Sequence, residues 1–116
     1  MKIVNRNEFL ALPNGVLFRK FEPCVFQDIQ IKKNSYDNDF VCVSLDWVKV
    51  DNPEQNDYNT LQNAMNNGES FEFDYEMTYR DGLYDDEWFA IYEKDDIQEL
   101  SEVLQYLLNN YPVTIK

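Results

Sequence analysis

Carboxylates are the side chains through which this chain could do chemistry, and they are concentrated in one segment. Residues 69 to 102 contain thirteen acidic side chains and two basic ones, which is a local charge of −11 in a chain whose total is −12. The first fifty residues contain seven Lys or Arg and six Asp or Glu. The acidic residues of the segment are Glu69, Glu72, Asp74, Glu76, Asp81, Asp85, Asp86, Glu87, Glu93, Asp95, Asp96, Glu99 and Glu102. Such a segregated negative field attracts cations and basic proteins, and it repels nucleic acid and anionic lipid.

Metal binding is the first chemistry that these carboxylates suggest. Asp81, Asp85, Asp86 and Glu87 lie close together in the sequence, and carboxylate oxygens are ligands for Ca²⁺ and Mg²⁺. The EF-hand pattern needs acidic residues at alternate positions before its glycine, whereas Gly82 follows a single aspartate. The sequence therefore favours weak cation binding over a dedicated metal site, and we expect no cofactor.

Catalysis has little support in the residue types present. The chain has no histidine, which removes the commonest general base and the usual partner of a catalytic Ser or Cys. Its serines occur in no nucleophile-elbow pattern, and no phosphate-binding glycine loop is present. A pair of carboxylates can hydrolyse glycosides, but only inside a cleft. We therefore expect that the protein is not an enzyme.

A period of two between residues 71 and 77 predicts a strand with one acidic face. Glu72, Asp74 and Glu76 alternate there with aromatic residues and Met77. Residues two apart on a strand are about 6.6 to 7 Å apart, which resembles the spacing of successive phosphates in a nucleic acid. Like charges placed in this way repel one another, and a cationic partner would relieve the repulsion. The pattern suggests nucleic-acid mimicry.

The predicted partner-binding face extends from this strand to the start of the last helix. Aromatic side chains carry much of the energy at protein interfaces, so Tyr79 and Tyr84, near the predicted turn, are the expected exposed anchors. Phe71, Phe73 and Trp88 are expected to pack within the sheet, as is Tyr75. The alternative is that the acidic run is only a solvated, solubilising face. The predicted site residues are Glu72, Asp74, Glu76, Asp81, Asp85, Asp86, Glu87, Glu99, Tyr79 and Tyr84.

The elements that must position these residues can be predicted from periodicity and capping. Asn5 or Asn7 can cap a short helix that ends near Leu12, and Gly68 can end a helix over residues 57–67. Strands are predicted over residues 16–21, 25–32 and 40–50, with a turn over 34–39. The strand at 71–77 should form an antiparallel hairpin with residues 88–92, through a turn at Asp81 and Gly82.

The last predicted helix is the clearest element. Asp95 is the expected N-cap, and Pro112 should end the helix. Its apolar stripe should pack on the sheet; the stripe consists of Ile97, Leu100, Val103, Leu104, Leu107, Leu108 and Tyr111. The order of the elements predicts one α+β domain over residues 1–116. We expect an antiparallel sheet of about 4–6 strands, with the C-terminal amphipathic helix and one shorter helix packed on it.

Two features indicate where the protein works. Cys24 and Cys42 are too few for a disulfide framework and are expected to be small buried residues, with a single bridge as the alternative. No signal peptide is recognisable, and no apolar run is long enough to cross a bilayer. We therefore expect a cytoplasmic protein.

The N-terminal quarter resembles known small phage proteins. Residues 7–18 (NEFLALPNGVLF) and 21–26 (FEPCVF) are similar to the opening of small proteins encoded by phages and prophages. The resemblance includes no motif for an activity. It implies a phage-type origin and work in the host cell, where small acidic proteins often inhibit host defence nucleases.

Taken together, the sequence predicts a non-enzymatic acidic inhibitor that occupies a basic surface of a nucleic-acid-handling host defence protein, of the anti-restriction or anti-CRISPR type. We expect no direct binding to nucleic acid or membrane, and the sequence leaves a homodimer open. One alternative is an immunity protein that neutralises a toxin by capping its basic active site. A second alternative is a carboxylate-based metal-binding protein or small enzyme.

Overall fold

A six-stranded antiparallel sheet with three helices forms the structure, a computed structural model that describes residues 1–50, 56–82 and 86–111. The strand order in the sheet is β1-β6-β2-β3-β4-β5. The α+β class predicted from the sequence is confirmed. In chain order the elements are β1 (Lys2–Asn5), α1 (Arg6–Leu10), β2 (Leu17–Glu22), β3 (Val25–Tyr36), β4 (Asp39–Ser44), α2 (Asp57–Asn67), β5 (Thr78–Arg80), β6 (Trp88–Ile91) and α3 (Lys94–Asn109).

Four buried phenylalanines form the centre of the core. The ring of Phe9, on α1, stacks on Phe89 at a centroid distance of 4.0 Å, and it meets Phe18 and Phe40 edge to face at 4.7 and 4.9 Å. Phe40 and Phe89 belong to β4 and β6, which two strands separate, yet their ring centroids are 5.9 Å apart. Three strand spacings in a flat sheet would amount to about 14 Å. The sheet therefore curls around α1.

Local capping fixes the position of α1. The Asn5 side chain accepts a hydrogen bond from the Glu8 backbone at 2.9 Å, and the Glu8 carboxylate accepts one from the Asn5 backbone at 3.3 Å. This capping box satisfies two amides that the first helical turn leaves open. The predicted cap at Asn5 is confirmed, although the helix ends at Leu10, before the predicted Leu12. The short helix delivers Phe9 into the core.

The central strands depart from their predicted bounds. Strand β3 continues to Tyr36 through residues expected to form a turn, and an irregularity in its pairing with β4 lies between Lys32 and Ser35. The turn is reduced to residues 37 and 38, with Asp37 at a φ of +51°. Strand β4 ends at Ser44 instead of continuing to residue 50. A tight two-residue turn lets both strands gain ladder hydrogen bonds that a six-residue turn would lose.

Helix α2 follows the prediction closely. Asn56 caps its start by accepting a hydrogen bond from the Asn59 backbone at 2.9 Å. Gly68 ends it in the left-handed conformation, at a φ of +70°, which glycine adopts without the Cβ penalty. No residue of α2 is buried, and Tyr58, Leu61 and Met65 remain exposed.

The predicted acidic hairpin is wrong. Residues 71–77 form no strand: Phe73 makes one isolated bridge with Val48, and a turn follows. The Asp74 carboxylate accepts hydrogen bonds from the Glu76 and Met77 backbones at 2.9 and 3.1 Å. Aspartate commonly competes with strand pairing in this way. The strand lies later, at β5, which pairs with β4, whereas β6 lies between β1 and β2.

Helix α3 begins at Lys94, and Glu93 is its N-cap in place of the predicted Asp95. The Asp96 carboxylate accepts a hydrogen bond from the Glu93 backbone at 2.8 Å. The apolar stripe of α3 does not pack on the sheet as predicted, because most of its side chains are exposed. Pro112 lies outside the described residues. In the part of the chain that the structure describes, no helix has the length and apolar character needed to cross a membrane.

The two cysteines differ in their surroundings. Cys42 is buried as predicted, but Cys24 is exposed in the turn between β2 and β3, with a φ of +71°. Both thiols are free, so the structure does not contain the bridge that was the alternative.

Candidate functional site

A buried ionic cluster holds part of the predicted acidic face inside the protein. The Lys20 ammonium lies 2.5 Å from the Asp81 carboxylate and 3.0 Å from that of Glu87. One Arg6 nitrogen lies 3.6 Å from Asp81 and 3.9 Å from Glu87. These side chains are all largely buried. The prediction that Asp81 and Glu87 are exposed is therefore corrected: their charges are compensated by the protein's own cations.

Asp39 anchors the other side of the same cluster. Its carboxylate accepts hydrogen bonds from the backbones of Phe40 and Gly82 at 2.8 and 3.1 Å, and from the Arg80 guanidinium at 3.0 Å. Burial alone would raise the pKa of Asp39, but the two backbone hydrogen bonds and Arg80 outweigh it and lower that pKa. The carboxylate thus ties the β3–β4 turn to the end of β5.

The pKa of Lys20 is shifted in the opposite direction to that of Asp39, and this shift also favours the charged form. Burial alone would lower its pKa, but hydrogen bonds to Asp81 and Glu87, with their charges, outweigh burial and raise the pKa. The ammonium therefore stays charged at neutral pH. Since each cation of the cluster faces at least one carboxylate, the cluster holds the fold together and offers no free charge to a partner.

The remaining acidic residues near β5 belong to residues 69–77, which we name the acidic–aromatic segment. Two backbone hydrogen bonds attach it to the chain beyond β4: Lys49 N donates to Glu72 O at 2.9 Å, and Asp74 N donates to Trp47 O at 2.6 Å. Gly68 redirects the chain from α2 into the segment. The segment is therefore held by its backbone, while its side chains stay available.

The side chains of the acidic–aromatic segment are open to solvent. Phe71, Phe73, Tyr75 and Met77 are between 38% and 60% exposed, which corrects the prediction that the aromatic residues pack within the sheet. Trp88, which was also expected to pack, is exposed as well. The carboxylates of the segment have the same access to solvent; they are Glu69, Glu72, Glu76 and the half-buried Asp74.

One lysine approaches this segment. The Lys49 ammonium lies 3.6 Å from the Glu72 carboxylate, and both side chains are at least half exposed. An exposed pair of this kind contributes about 0–1 kcal/mol and is screened by salt. A polar cavity of about 520 Å³ separates the segment from α2; its lining residues are Lys49, Thr60, Asn63, Glu69, Ser70, Phe71 and Glu72. Within residues 1–50, 56–82 and 86–111 the contact between Lys49 and Glu72 is the only ion pair of the segment, so most of its negative charge is uncompensated there.

Tyr79 is a packing residue and not the exposed anchor that the sequence suggests. Its ring stacks on Trp47 at 5.2 Å, and its hydroxyl donates to the Gln30 side chain at 3.1 Å. Burial raises the pKa of the Tyr79 hydroxyl above its usual value. The other predicted anchor, Tyr84, lies outside the described residues, as does Asp85.

A second acidic group lies at the start of α3. Asp96 binds the N-terminal amine of Met1 at 2.5 Å, and this hydrogen bond lowers the pKa of Asp96. This contact attaches the helix to β1, at one edge of the sheet, whereas the acidic–aromatic segment adjoins β5 at the other edge. The single continuous acidic face predicted from the sequence is wrong. The exposed members of the second group are Glu93, Asp95, Glu99 and Glu102. Asp86 is exposed as well, but it precedes β6 and lines cavities with Arg6 and Lys20, away from the start of α3.

The structure brings together residues that sequence reasoning did not connect. Lys20 and Asp81 are 61 positions apart, and Arg6 meets both β4 and the end of β5. No local pattern could identify these pairs, because ion pairing depends on the curl of the sheet. Among the residues that the structure describes, no group of three or more His, Cys, Asp or Glu is arranged to hold a metal ion.

Comparisons with known proteins do not extend this picture. No family model, no curated protein and no solved structure matches the chain.

Proposed function

We propose that this chain is a non-enzymatic binding protein whose acidic–aromatic segment docks on a basic surface of a nucleic-acid-handling protein. One observation carries the proposal: solvent-exposed aromatic side chains alternate with exposed carboxylates on a segment whose backbone is held in place. The combination provides both apolar area and charge for a partner.

The aromatic side chains would supply most of the binding energy. Phe71 and Phe73 pack edge to face at 5.6 Å, so the two rings present a preformed surface. Buried aromatic anchors typically dominate an interface, and each can contribute 2 kcal/mol or more (roughly) when fully enclosed. Tyr75 adds a hydroxyl that can hydrogen bond at the rim.

The carboxylates would determine the type of partner and the rate of association. A surface rich in Lys and Arg would pair with Glu72 and Glu76 and is attracted over a distance by the chain's net charge of −12. Basic grooves of this kind normally bind phosphates. Occupying such a groove excludes the nucleic acid, which makes the protein a competitive inhibitor.

A host defence nuclease is the partner that we propose. This step draws on the resemblance of residues 7–26 to small phage proteins, and on the chemistry of a DNA-binding groove. An inhibitor of this kind needs no catalytic group of its own.

The test is inhibition of DNA cleavage by a panel of purified restriction-type endonucleases. We expect the wild-type chain to slow at least one enzyme, with an association rate that falls about tenfold or more between 50 and 500 mM NaCl. The double variant Glu72→Gln/Glu76→Gln should lose most of the inhibition, and Tyr75→Ala should weaken it by accelerating dissociation. Asp74 is left unchanged because it holds the turn.

The matched control removes two charges from the other acidic group. Glu99→Gln/Glu102→Gln has the same net charge as the test variant, so it separates a local contact from the general field. Three results would overturn the proposal. They are inhibition that persists in Glu72→Gln/Glu76→Gln, an association rate that does not change with salt, and equal losses of inhibition in the two double variants.

A further inference from the structure

Helix α3 presents an apolar face that the described residues leave uncovered. Ile97, Leu100, Leu104 and Leu107 follow one another at spacings of three, four and three, which places them on one side of the helix. We name these four residues the helix seam. Ile97, Leu104 and Leu107 are between 42% and 57% exposed, and the flanking Val103 and Leu108 are 56% and 70% exposed.

The sheet leaves most of the seam open, and Leu100 is the one half-buried member of the seam. An open cavity of about 410 Å³ lies between α3 and the sheet, where Leu100 and Val103 face Phe26 and Tyr92. The firm attachment of α3 is at its first turn, through Asp96 and the N-terminal amine. The rest of the helix projects with most of its leucines in solvent; α3 as a whole is a rod about 24 Å long.

Charge is distributed unevenly along α3. Its first half, residues 94–102, contains four carboxylates and Lys94, a net charge of −3, while residues 103–109 carry no charge. Two such helices side by side in parallel would bring the two acidic halves together, which costs free energy. In the antiparallel arrangement each acidic half meets an uncharged half, and a two-fold axis relates the two copies.

We propose that the protein forms a homodimer through antiparallel packing of two copies of α3 along the helix seam. A basic partner fits this face less well, because the seam itself is uncharged and its acidic residues lie at one end. A second copy provides the same leucine spacing and the complementary charge order.

The area supports a weak dimer. From the exposed fractions, the seam and its flanking residues offer roughly 400 Å² of apolar surface per copy, taking a fully accessible large aliphatic side chain as about 150 Å². With the usual apolar share of a homodimer interface, the total buried area is about 1,200 Å². This is the lower limit for specific interfaces, so we expect dissociation in the micromolar range.

Sedimentation equilibrium of the full chain, from about 1 to about 500 µM, tests the proposal over the affinity range expected for such an area. We expect a monomer–dimer equilibrium that shifts toward the dimer at higher salt, because salt screens repulsion between two acidic copies and leaves apolar contacts intact. The salt response is thus opposite to that of docking on a basic partner.

Two variants locate the interface. Leu104→Gln/Leu107→Gln should weaken dimerisation at least tenfold while the monomer keeps its thermal stability, since both side chains are more than half exposed. Tyr106→Gln is the matched control: Tyr106 is 67% exposed on the same helix, away from the seam, and its change should leave the equilibrium unaltered.

A distance between spin labels distinguishes the antiparallel dimer from a parallel one. A spin label at residue 98, in a Cys24→Ser background, lies four residues from the middle of the seam, so the two labelled backbone positions should be about 15 Å apart in the antiparallel dimer and about 9 Å apart in a parallel one, from the helix rise and the interaxial distance. Any one of three results would overturn the dimer proposal. They are a chain that stays monomeric over the whole concentration range, a Leu104→Gln/Leu107→Gln variant that dimerises as the wild type does, and the shorter label separation of a parallel dimer.

Discussion

Asp39 and Glu72 carry the same functional group in opposite surroundings. The Asp39 side chain is 1% exposed and accepts hydrogen bonds from two backbone amides and an arginine. The Glu72 side chain is 77% exposed and has one loose contact with Lys49. A buried carboxylate without such partners would be very costly, whereas an exposed one costs little. Burial thus decides which acidic residues hold the fold and which can meet a partner.

Asp39→Asn tests the role of the buried carboxylate. Removing the charge while keeping the shape weakens the hydrogen bonds that Asp39 accepts from Arg80 and two backbone amides, and it removes one anion from a buried cluster whose cations remain, so we expect a loss of about 3 kcal/mol in the free energy of unfolding at pH 7. Urea denaturation measures it. Asp37→Asn, at an exposed turn position where asparagine is equally suited to positive φ, is the control and should change stability by less than about 0.5 kcal/mol. Equal effects of the two changes would contradict this role.

The same carboxylate predicts a pH dependence. The pKa of Asp39 is lower in the folded protein than its ordinary value of 3.8. A lowered folded pKa means that the stabilisation is fully present above 3.8 and is lost as the pH falls from there through the folded pKa. The stability difference between the wild type and Asp39→Asn should therefore shrink below pH 4. Urea titrations between pH 7 and pH 2.5 measure this, and a constant difference would argue against it.

At the scale of elements, α1 and the acidic–aromatic segment show how similar residues take different roles. Helix α1 is only five residues long, but its capping box holds Phe9 against three other buried rings. The acidic–aromatic segment is richer in aromatic residues, yet a turn at Asp74 interrupts it and leaves Phe71 exposed. Phe9 is buried because α1 packs inside the curled sheet, whereas Phe71 has no such contact and stays exposed.

Phe9→Ala and Phe71→Ala compare the two elements directly. Phe9 is fully buried, so its truncation should cost about 4 kcal/mol of unfolding free energy through lost contacts and the cavity left behind. Phe71→Ala should cost less than about 1 kcal/mol because its ring is 42% exposed. Urea denaturation checks both. If Phe9→Ala does not fold, Phe9→Leu gives the same comparison with a smaller loss, and a larger loss for Phe71 would contradict the fold.

Sequence periodicity predicted the helices better than the acidic strand, for a physical reason. Helix α2 depends on local signals, a cap at Asn56 and a left-handed Gly68, and both act within a few residues. A strand needs a partner from elsewhere in the chain. The alternation at residues 71–77 pairs with the chain beyond β4 only at the bridge between Phe73 and Val48. Beyond that bridge, the Asp74 side chain accepts hydrogen bonds from the backbone and forms a turn.

At the scale of the whole molecule, charge and shape are unevenly distributed. The radius of gyration is 16.7 Å, whereas a compact domain of this length has about 13 Å. The projecting α3 accounts for part of this excess. The acidic–aromatic segment and the start of α3 lie at opposite edges of the sheet, while Asp39, Asp81 and Glu87 are held in the ionic cluster.

This distribution predicts the response of stability to salt. A chain with a net charge of −12 repels itself in the folded state, and salt screens the repulsion. The melting temperature should therefore rise between about 20 and about 500 mM NaCl, as measured by circular dichroism. The rise should be smaller for Glu72→Gln/Glu76→Gln than for the wild type. A fall with added salt would mean that attractive surface ion pairs dominate.

The features that could be predicted from the amino-acid sequence are those that short-range physics governs. These are the α+β class, the cap at Asn5, helix α2 with Gly68, and the amphipathic character of α3. Which carboxylates are free depends on the tertiary structure: the curled sheet brings Lys20 and Arg6 to Asp81 and Glu87, sets the acidic–aromatic segment and the start of α3 at opposite edges, and leaves most of the seam of α3 open. Charge compensation and burial depend on which distant residues meet, and a one-dimensional pattern does not contain those distances.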